Sequence, residues 1–285
     1  MFQKDLLKGR GVIITGGGTG LGRSMSLRLA ELVAKMFLVG RREEPLRETA
    51  DSIRNAGGEA AFATCDVRDP AAVEAAITAA EKQLGAVDTL INNAAGNFIA
   101  RTETLSANAF NAVVGIVLYG TFYCTTAFGR RWIAAKRPGT VLNIVTTYAA
   151  VENCGSGFVV PSACAKAGVL AMTRSLAVEW ARHRIRLNAI APGPFPTEGA
   201  FSRLMPSKEY EEHARNSHPM KRFGRHDELA NLAAYLLSEQ SEYVNGECVI
   251  IDGGLWLRGA GEFNDLADLP DSAWQAMEQA RKSRG

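Results

Sequence analysis

Little in this 285-residue sequence could build a metal centre or a cross-linked fold. The four histidines, His183, His213, His218 and His226, stand in polar surroundings with no carboxylate at helical spacing, so no metal is expected. The five cysteines are odd in number, scattered and free of any C-x-x-C pair. That excludes a disulfide framework or a zinc ribbon and leaves buried, reduced thiols as the expectation. A membrane span needs about 20 nearly uninterrupted apolar residues. The most apolar long window, Ala112 to Phe128, is interrupted by Gly115, Tyr119 and Gly120, and Met1-Phe2-Gln3-Lys4-Asp5 has no apolar signal core. No membrane partner and a cytoplasmic location are therefore expected. Neither sign of charge dominates: with 32 basic and 30 acidic residues, net +2, the chain has no footprint for nucleic acid. No low-complexity segment divides it, and its length suits one domain with a large core.

What the chain does have is an apolar run, Gly11-Val12-Ile13-Ile14, ending in Thr15-Gly16-Gly17-Gly18-Thr19-Gly20-Leu21-Gly22 and passing into helical spacing. The run is too short for a helix and rich in β-branched residues, so it reads as a buried strand entering a turn. Phosphate needs backbone N–H donors at close approach, without Cβ atoms in the way and next to a helix N-terminus; Gly16, Gly20 and Gly22 meet those demands. Further strands are expected at Met36–Val39, Ala60–Thr64, Thr89–Ile91, Thr140–Thr147, Ile185–Ile190 and Cys248–Ile251. Between them lie helices at Glu43–Asn55, from Pro70 behind an Asp69 cap, Ser106–Arg137, Phe158–Arg182 and Asp227–Ser238, and a last helix spans Asp271–Lys282. Strands and helices in alternation demand a parallel sheet covered on both faces: an α/β, doubly wound (Rossmann) domain of about seven strands. Residues 195–223 mix Pro, Met, Phe and charge without periodicity and read as a mobile cover over a pocket, and 256–285 as a C-terminal extension.

The strand ending at Val39 is followed by Gly40-Arg41-Arg42 and no acid. In a dinucleotide fold a carboxylate there would accept from a ribose hydroxyl, whereas Arg41 pairs with a 2′-phosphate, which selects NADP(H).

The Thr-Gly-x-x-x-Gly-x-Gly pattern at 15–22 and Asn92-Asn93-Ala94-Ala95-Gly96 after the fourth strand closely resemble the short-chain dehydrogenase/reductase family. That resemblance places the cofactor on Gly16, Gly17, Gly18, Thr19, Gly20 and Leu21, puts Asp66 beside the adenine, and adds Pro192, Gly193, Pro194 and Phe195. It also implies a Tyr-x-x-x-Lys pair, in which the phenol protonates a carbonyl and the lysine lowers the phenol pKa and holds the ribose. Here the segment reads Pro161-Ser162-Ala163-Cys164-Ala165-Lys166: the lysine is present and the phenol is not. An aliphatic hydroxyl is far too weak an acid for that role. Either catalysis is lost or another residue supplies the proton. Tyr148, at the end of strand five, can face the same cleft, and with Asn97 from the end of strand four it can bind one carbonyl oxygen from two sides.

Asn93–Phe98, Gly155–Lys166, Pro192–Pro194, Gly199–Leu204 and Gly261–Leu266 are similar to the NADPH-dependent 2,4-dienoyl-CoA reductases within that family. The resemblance implies conjugate reduction of an acyl-CoA thioester in unsaturated fatty acid degradation. Tyr148 and Asn97 hold the dienolate, Ser162 and Lys166 orient the nicotinamide end, Arg68, Phe98, Ser106 and Arg203 line the acyl-CoA site, and the assembly is a homotetramer. Departures are a longer stretch between Tyr148 and Gly155, Tyr119 where asparagine is expected, and Glu198 where lysine is expected. The alternatives are reduction of another enoyl or 3-oxoacyl thioester, or a non-catalytic NADP-binding subunit.

Overall fold

The computed structural model describes residues 2–150, 155–197, 207–260 and 263–282. Seven parallel strands form one sheet in the order β3-β2-β1-β4-β5-β6-β7: β1 Gly11–Thr15, β2 Lys35–Gly40, β3 Ala60–Thr64, β4 Thr89–Asn92, β5 Gly139–Ile144, β6 Ile185–Pro192 and β7 Cys248–Ile251. The helices among the described residues are α1 Gly20–Glu31, α2 Glu43–Asn55, α3 Pro70–Leu84, α4 Ala107–Val114, α5 Gly120–Ala134, α6 Val160–Glu179, α7 Lys208–Ser217, α8 His226–Leu237, α9 Leu255–Ala260 and α10 Asp271–Lys282.

The strands are near-continuous apolar runs because successive side chains enter opposite cores, both of them apolar. Val12, Ile14, Met36 and Leu38 pack with Met25, Leu29, Leu46, Leu229 and Ala233 under α1, α2 and α8. Their neighbours Ile13, Phe37 and Val39 pack with Val73, Ile77, Phe128 and Trp132 under α3 and α5. A third cluster joins α4 to α6 through Val113, Val117, Ala165 and Val169. Asp69 caps α3 as expected, accepting from the Ala71 amide at 2.9 Å, with Pro70 fixing the first turn.

The expected helix over 106–137 is continuous from Ala107 to Ala134 but loosens to a π turn at Gly115–Tyr119. By length and composition this helix could cross a membrane; here Val117, Cys124, Phe128 and Trp132 are buried in the protein's own core. The 195–223 stretch, though without periodicity in sequence, contains helix α7, opened by Ser207, whose hydroxyl accepts from the Tyr210 amide. Two expectations are corrected. His218 is buried beneath the end of α7, edge-on to Phe223, rather than in polar surroundings. Cys65 and Cys124 are buried thiols, but Cys164 is exposed.

Candidate active site

The chain leaves β1 towards β2 and β3 and returns on the other side as β4, so the ends of β1 and β4 flank the crevice where open α/β sheets bind ligands. Thr15 and Asn93 join the two lips. The Thr15 Oγ1 accepts from the Asn93 and Ala94 amides, both at 3.0 Å, and Asn93 Nδ2 donates to the Thr15 and Gly16 carbonyls at 3.0 and 3.3 Å. The role of Asn93 is structural, and its only signal in the sequence is its place in the Asn92–Gly96 motif.

Gly16 lies at φ +69° and Gly20 at φ +53°, the left-handed region that side chains avoid. A Cβ on Gly22 would stand 2.1 Å from the Gly16 carbonyl oxygen, and one on Gly18 would stand 2.8 Å from the Pro45 backbone. The loop therefore closes tightly only because those atoms are absent. Helix α1 begins at Gly20 with no side-chain cap and no acid in its first turn, so its positive end and first amides face whatever lies over the loop. These features fit a dinucleotide's phosphates. Gly17 is buried in the loop, Leu21 packs on the core and Thr19 is exposed.

Arg41 is exposed at the end of β2, and its charge reaches Asp66. Asp66, just beyond β3, is grasped by Arg68: the Arg68 Nε lies 2.9 and 3.0 Å from its two oxygens and the Arg68 amide 3.0 Å away. That hydrogen bonding holds the Asp66 carboxyl below its usual range. The expected adenine residue and the expected acyl-CoA arginine thus form one ion pair, with the Arg68 stem against Gly115 of the π turn.

On the other side of the sheet, Gly193 donates its amide to Ile251 at 3.0 Å, and a Cβ there would meet Asp252 at 2.6 Å. Pro194 accepts from the Gly224 amide at 3.1 Å. Phe195 is buried, its ring packed against Gly224.

At the ends of β4 and β5 the expected cluster assembles. Tyr148, in the turn Thr147–Ala149 after β5, has its hydroxyl 3.2 Å from Asn97 Nδ2 and 3.0 Å from Ser162 Oγ. Asn97 donates to the phenol oxygen while its own Oδ1 accepts from the Phe98 amide at 2.9 Å, which fixes the direction of the carboxamide. The longer stretch after Tyr148, whose residues 151–154 lie outside the described ones, does not turn the phenol away. Lys166, one helical turn beyond Ser162, is 7% exposed and donates to the Ile144 carbonyl; burial lowers its pKa to about 8. The loop before α6 is held to the Asn97 loop by the Ala100 amide, which donates to the Phe158 carbonyl at 2.9 Å. Phe158 itself lies at φ +66° with its ring 59% exposed.

The remaining expected substrate residues are not gathered on that cluster. Phe98 adjoins it and packs on the α4–α6 core, Ser106 caps α4 by accepting from the Ala109 amide at 3.1 Å, and Arg203 lies outside the described residues. No group of three or more His, Cys, Asp or Glu side chains suited to a metal occurs among the described residues.

A glycine cradle at the switch point of a parallel sheet, beside a tyrosine-lysine cluster at adjacent strand ends, defines a dinucleotide-dependent oxidoreductase. The chain belongs to the short-chain dehydrogenase/reductase family: the family description Enoyl-(Acyl carrier protein) reductase matches residues 16–256. It is 47% identical over 249 residues, 87% of this chain and 97% of the relative, to a probable 2,4-dienoyl-CoA reductase [(2E)-enoyl-CoA-producing] of Bacillus subtilis. It is 41% identical over 258 residues, 89% and 82% of the two chains, to a probable 2,4-dienoyl-CoA reductase [(3E)-enoyl-CoA-producing] of Caenorhabditis elegans. Among solved structures it is similar to a short chain dehydrogenase from Bacillus anthracis, with 42% identity, a TM-score of 0.78 and coverage of 86% and 96%. It is also similar to a gluconate 5-dehydrogenase from Burkholderia cenocepacia in complex with NADP and tartrate, with 32% identity, a TM-score of 0.82 and coverage of 89% and 98%.

Proposed function

We propose that this chain reduces 2,4-dienoyl-CoA thioesters with NADPH, giving a trans-3-enoyl-CoA in the degradation of unsaturated fatty acids. The observation that carries the reading is the Asn97–Tyr148–Ser162 contact, a donor set converging where the family's usual phenol is missing. NADPH bound in the glycine cradle supplies a hydride, and the δ carbon of the diene accepts it. The electron pair moves through the conjugated carbons to the thioester oxygen, where the Tyr148 hydroxyl and Asn97 Nδ2 donate to the growing negative charge more strongly than to the neutral carbonyl. Collapse of the dienolate takes a proton at the α carbon, with Tyr148 as the acid, and leaves the double bond between the β and γ carbons. Ser162 positions the phenol, and Lys166 serves the ribose end of the cofactor site. Arg41 favours a 2′-phosphate, and Arg68 a CoA phosphate once it leaves Asp66.

A homotetramer belongs to the same proposal. A surface cavity of ≈ 420 Å³ lined by Leu118, Tyr119, Phe122, Tyr123 and Met172 leaves aromatic faces of α5 and the π turn exposed, and a second copy of the chain covers them. Light scattering that returned a monomer would remove that part alone.

The test of function mixes purified protein with NADPH and, in turn, trans,trans-2,4-hexadienoyl-CoA, crotonyl-CoA and acetoacetyl-CoA, following cofactor absorbance. Turnover of the dienoyl thioester is expected, with the product double bond at carbon 3 by NMR. Turnover of acetoacetyl-CoA alone refutes the reading, and a product with its double bond at carbon 2 refutes the proposed protonation site.

A further inference from the structure

The glycine cradle has a second wall, the chain leaving β6 at Pro196 and Thr197. A Cβ on Gly20 would stand 3.3 Å from the Thr197 methyl, so the two walls face each other at the first residue of α1. His226, the first residue of α8, lies between them. Its Nε2 is 2.5 Å from the Pro196 carbonyl oxygen and its Nδ1 is 2.7 Å from Ser24 Oγ, one turn into α1. A carbonyl only accepts, so Nε2 carries the hydrogen. Ser24 accordingly gives its hydroxyl hydrogen to Nδ1 and completes a path from one wall to the first turn of α1: Pro196, His226, Ser24.

We infer that His226 is a positioning residue for the dinucleotide phosphates, stapling the Pro196–Thr197 wall to the glycine loop and so fixing the width of the slot between them. The inference rests on the cradle's being a dinucleotide site. Among the described residues, the other side-chain hydrogen bond between α1 and α8, Arg28 Nε to Asn231 Oδ1 at 2.8 Å, lies farther along and does not reach Pro196. The helices also pack through Met25, Leu29, Leu229, Ala230 and Ala233, so removal of the imidazole frees the wall without dismantling the pair.

The test measures dissociation constants for NADPH and NADH by cofactor fluorescence in wild type, His226→Ala, His226→Gln, Ser24→Ala and the Ser24→Ala/His226→Ala double variant, with the apo Tm of each. His226→Ala is expected to loosen both cofactors by a common factor of about 10, since two hydrogen bonds and the phosphates shared by both cofactors are involved. Glutamine, which can donate to Pro196 and accept from Ser24, recovers most of that loss, and the double variant is no weaker than the worse single one. Unchanged affinity in His226→Ala overturns the inference. So does a glutamine variant as weak as alanine, additive losses in the double variant, or a loss of affinity that tracks a fall in apo Tm. A wild type that prefers NADH removes only the proposed choice of cofactor; a wild type that binds neither removes the cradle assignment and this inference with it.

Discussion

Tyr148→Phe deletes one oxygen and keeps the ring. That oxygen has two side-chain partners, Asn97 Nδ2 at 3.2 Å and Ser162 Oγ at 3.0 Å, and Ser162 is 3% exposed. A neutral hydrogen bond contributes about 0.5–1.5 kcal/mol net, and the Nδ2 of the partly exposed Asn97 can donate to water in place of the phenol, so the stability cost is about 1 kcal/mol. For a domain of this size that is a Tm change of about 2–4 °C. The kinetic cost is larger. A positioned general acid contributes about 10²–10⁴-fold, and loss of one oxyanion donor costs about 10²–10³-fold. Because Asn97 remains as the second donor, kcat should fall by about 10²–10³-fold. KM for the dienoyl thioester should stay within a few-fold, since the hydroxyl interacts more strongly with the dienolate than with the substrate. Steady-state assays at saturating NADPH, with single-turnover absorbance to separate chemistry from release, read both numbers. A variant whose kcat lies within threefold of wild type, or one in which KM rises and kcat does not fall, would show that the phenol is not the acid.

Other outcomes follow from single contacts. Lys166 releases its proton at about 8 in the folded chain against 10.5 when unperturbed, so between those values the unfolded chain binds more protons and stability rises with pH. This contribution is complete above 10.5 and lost as pH falls through 8; at neutral pH the buried charge costs about 3 kcal/mol. Denaturant midpoints of the apo protein should therefore climb from pH 8 to 10.5 more steeply in wild type than in Lys166→Met, and parallel curves would contradict this. Gly22→Ala places a methyl 2.1 Å from a backbone oxygen that cannot move aside; overpacking of about 2 kcal/mol and a Tm fall of about 5 °C are expected, together with loss of NADPH binding. Burial raises the thiol pKa to about 11 for Cys65 and about 12 for Cys124, so site-resolved iodoacetamide labelling of the native protein should reach exposed Cys164 before these two, which react only on unfolding.

Most of the sheet could be read directly from the letters. Strands buried on both faces declare themselves as apolar runs, and β3, α2 and α10 begin and end where the pattern places them, with Gly57-Gly58 separating α2 from β3 and Pro270 preceding α10. Helix α7 was hidden because Lys208–Ser217 has no apolar stripe to give a period; its signals were the Ser207 cap and the acids Glu209 and Glu211 in the first turn. Asn97 and Tyr148 could be paired from sequence since both end neighbouring parallel strands, whereas the locking of Asp66 to Arg68 depends on a side-chain rotamer that spacing does not specify. His226 gave no local signal: its partners lie 202 and 30 residues away.

The stitch made by Thr15 and Asn93 has a consequence for how this protein can change. The mouth of the crevice is set by six atoms at the ends of two neighbouring strands, while residues 97–100, 155–159 and 207–225 hang from that frame as separate connections. Those connections can thus be rewritten while the hydrogen bonds that hold the β1 and β4 ends together stay in place. The same frame is a ready scaffold for grafting a foreign specificity onto an existing reduction.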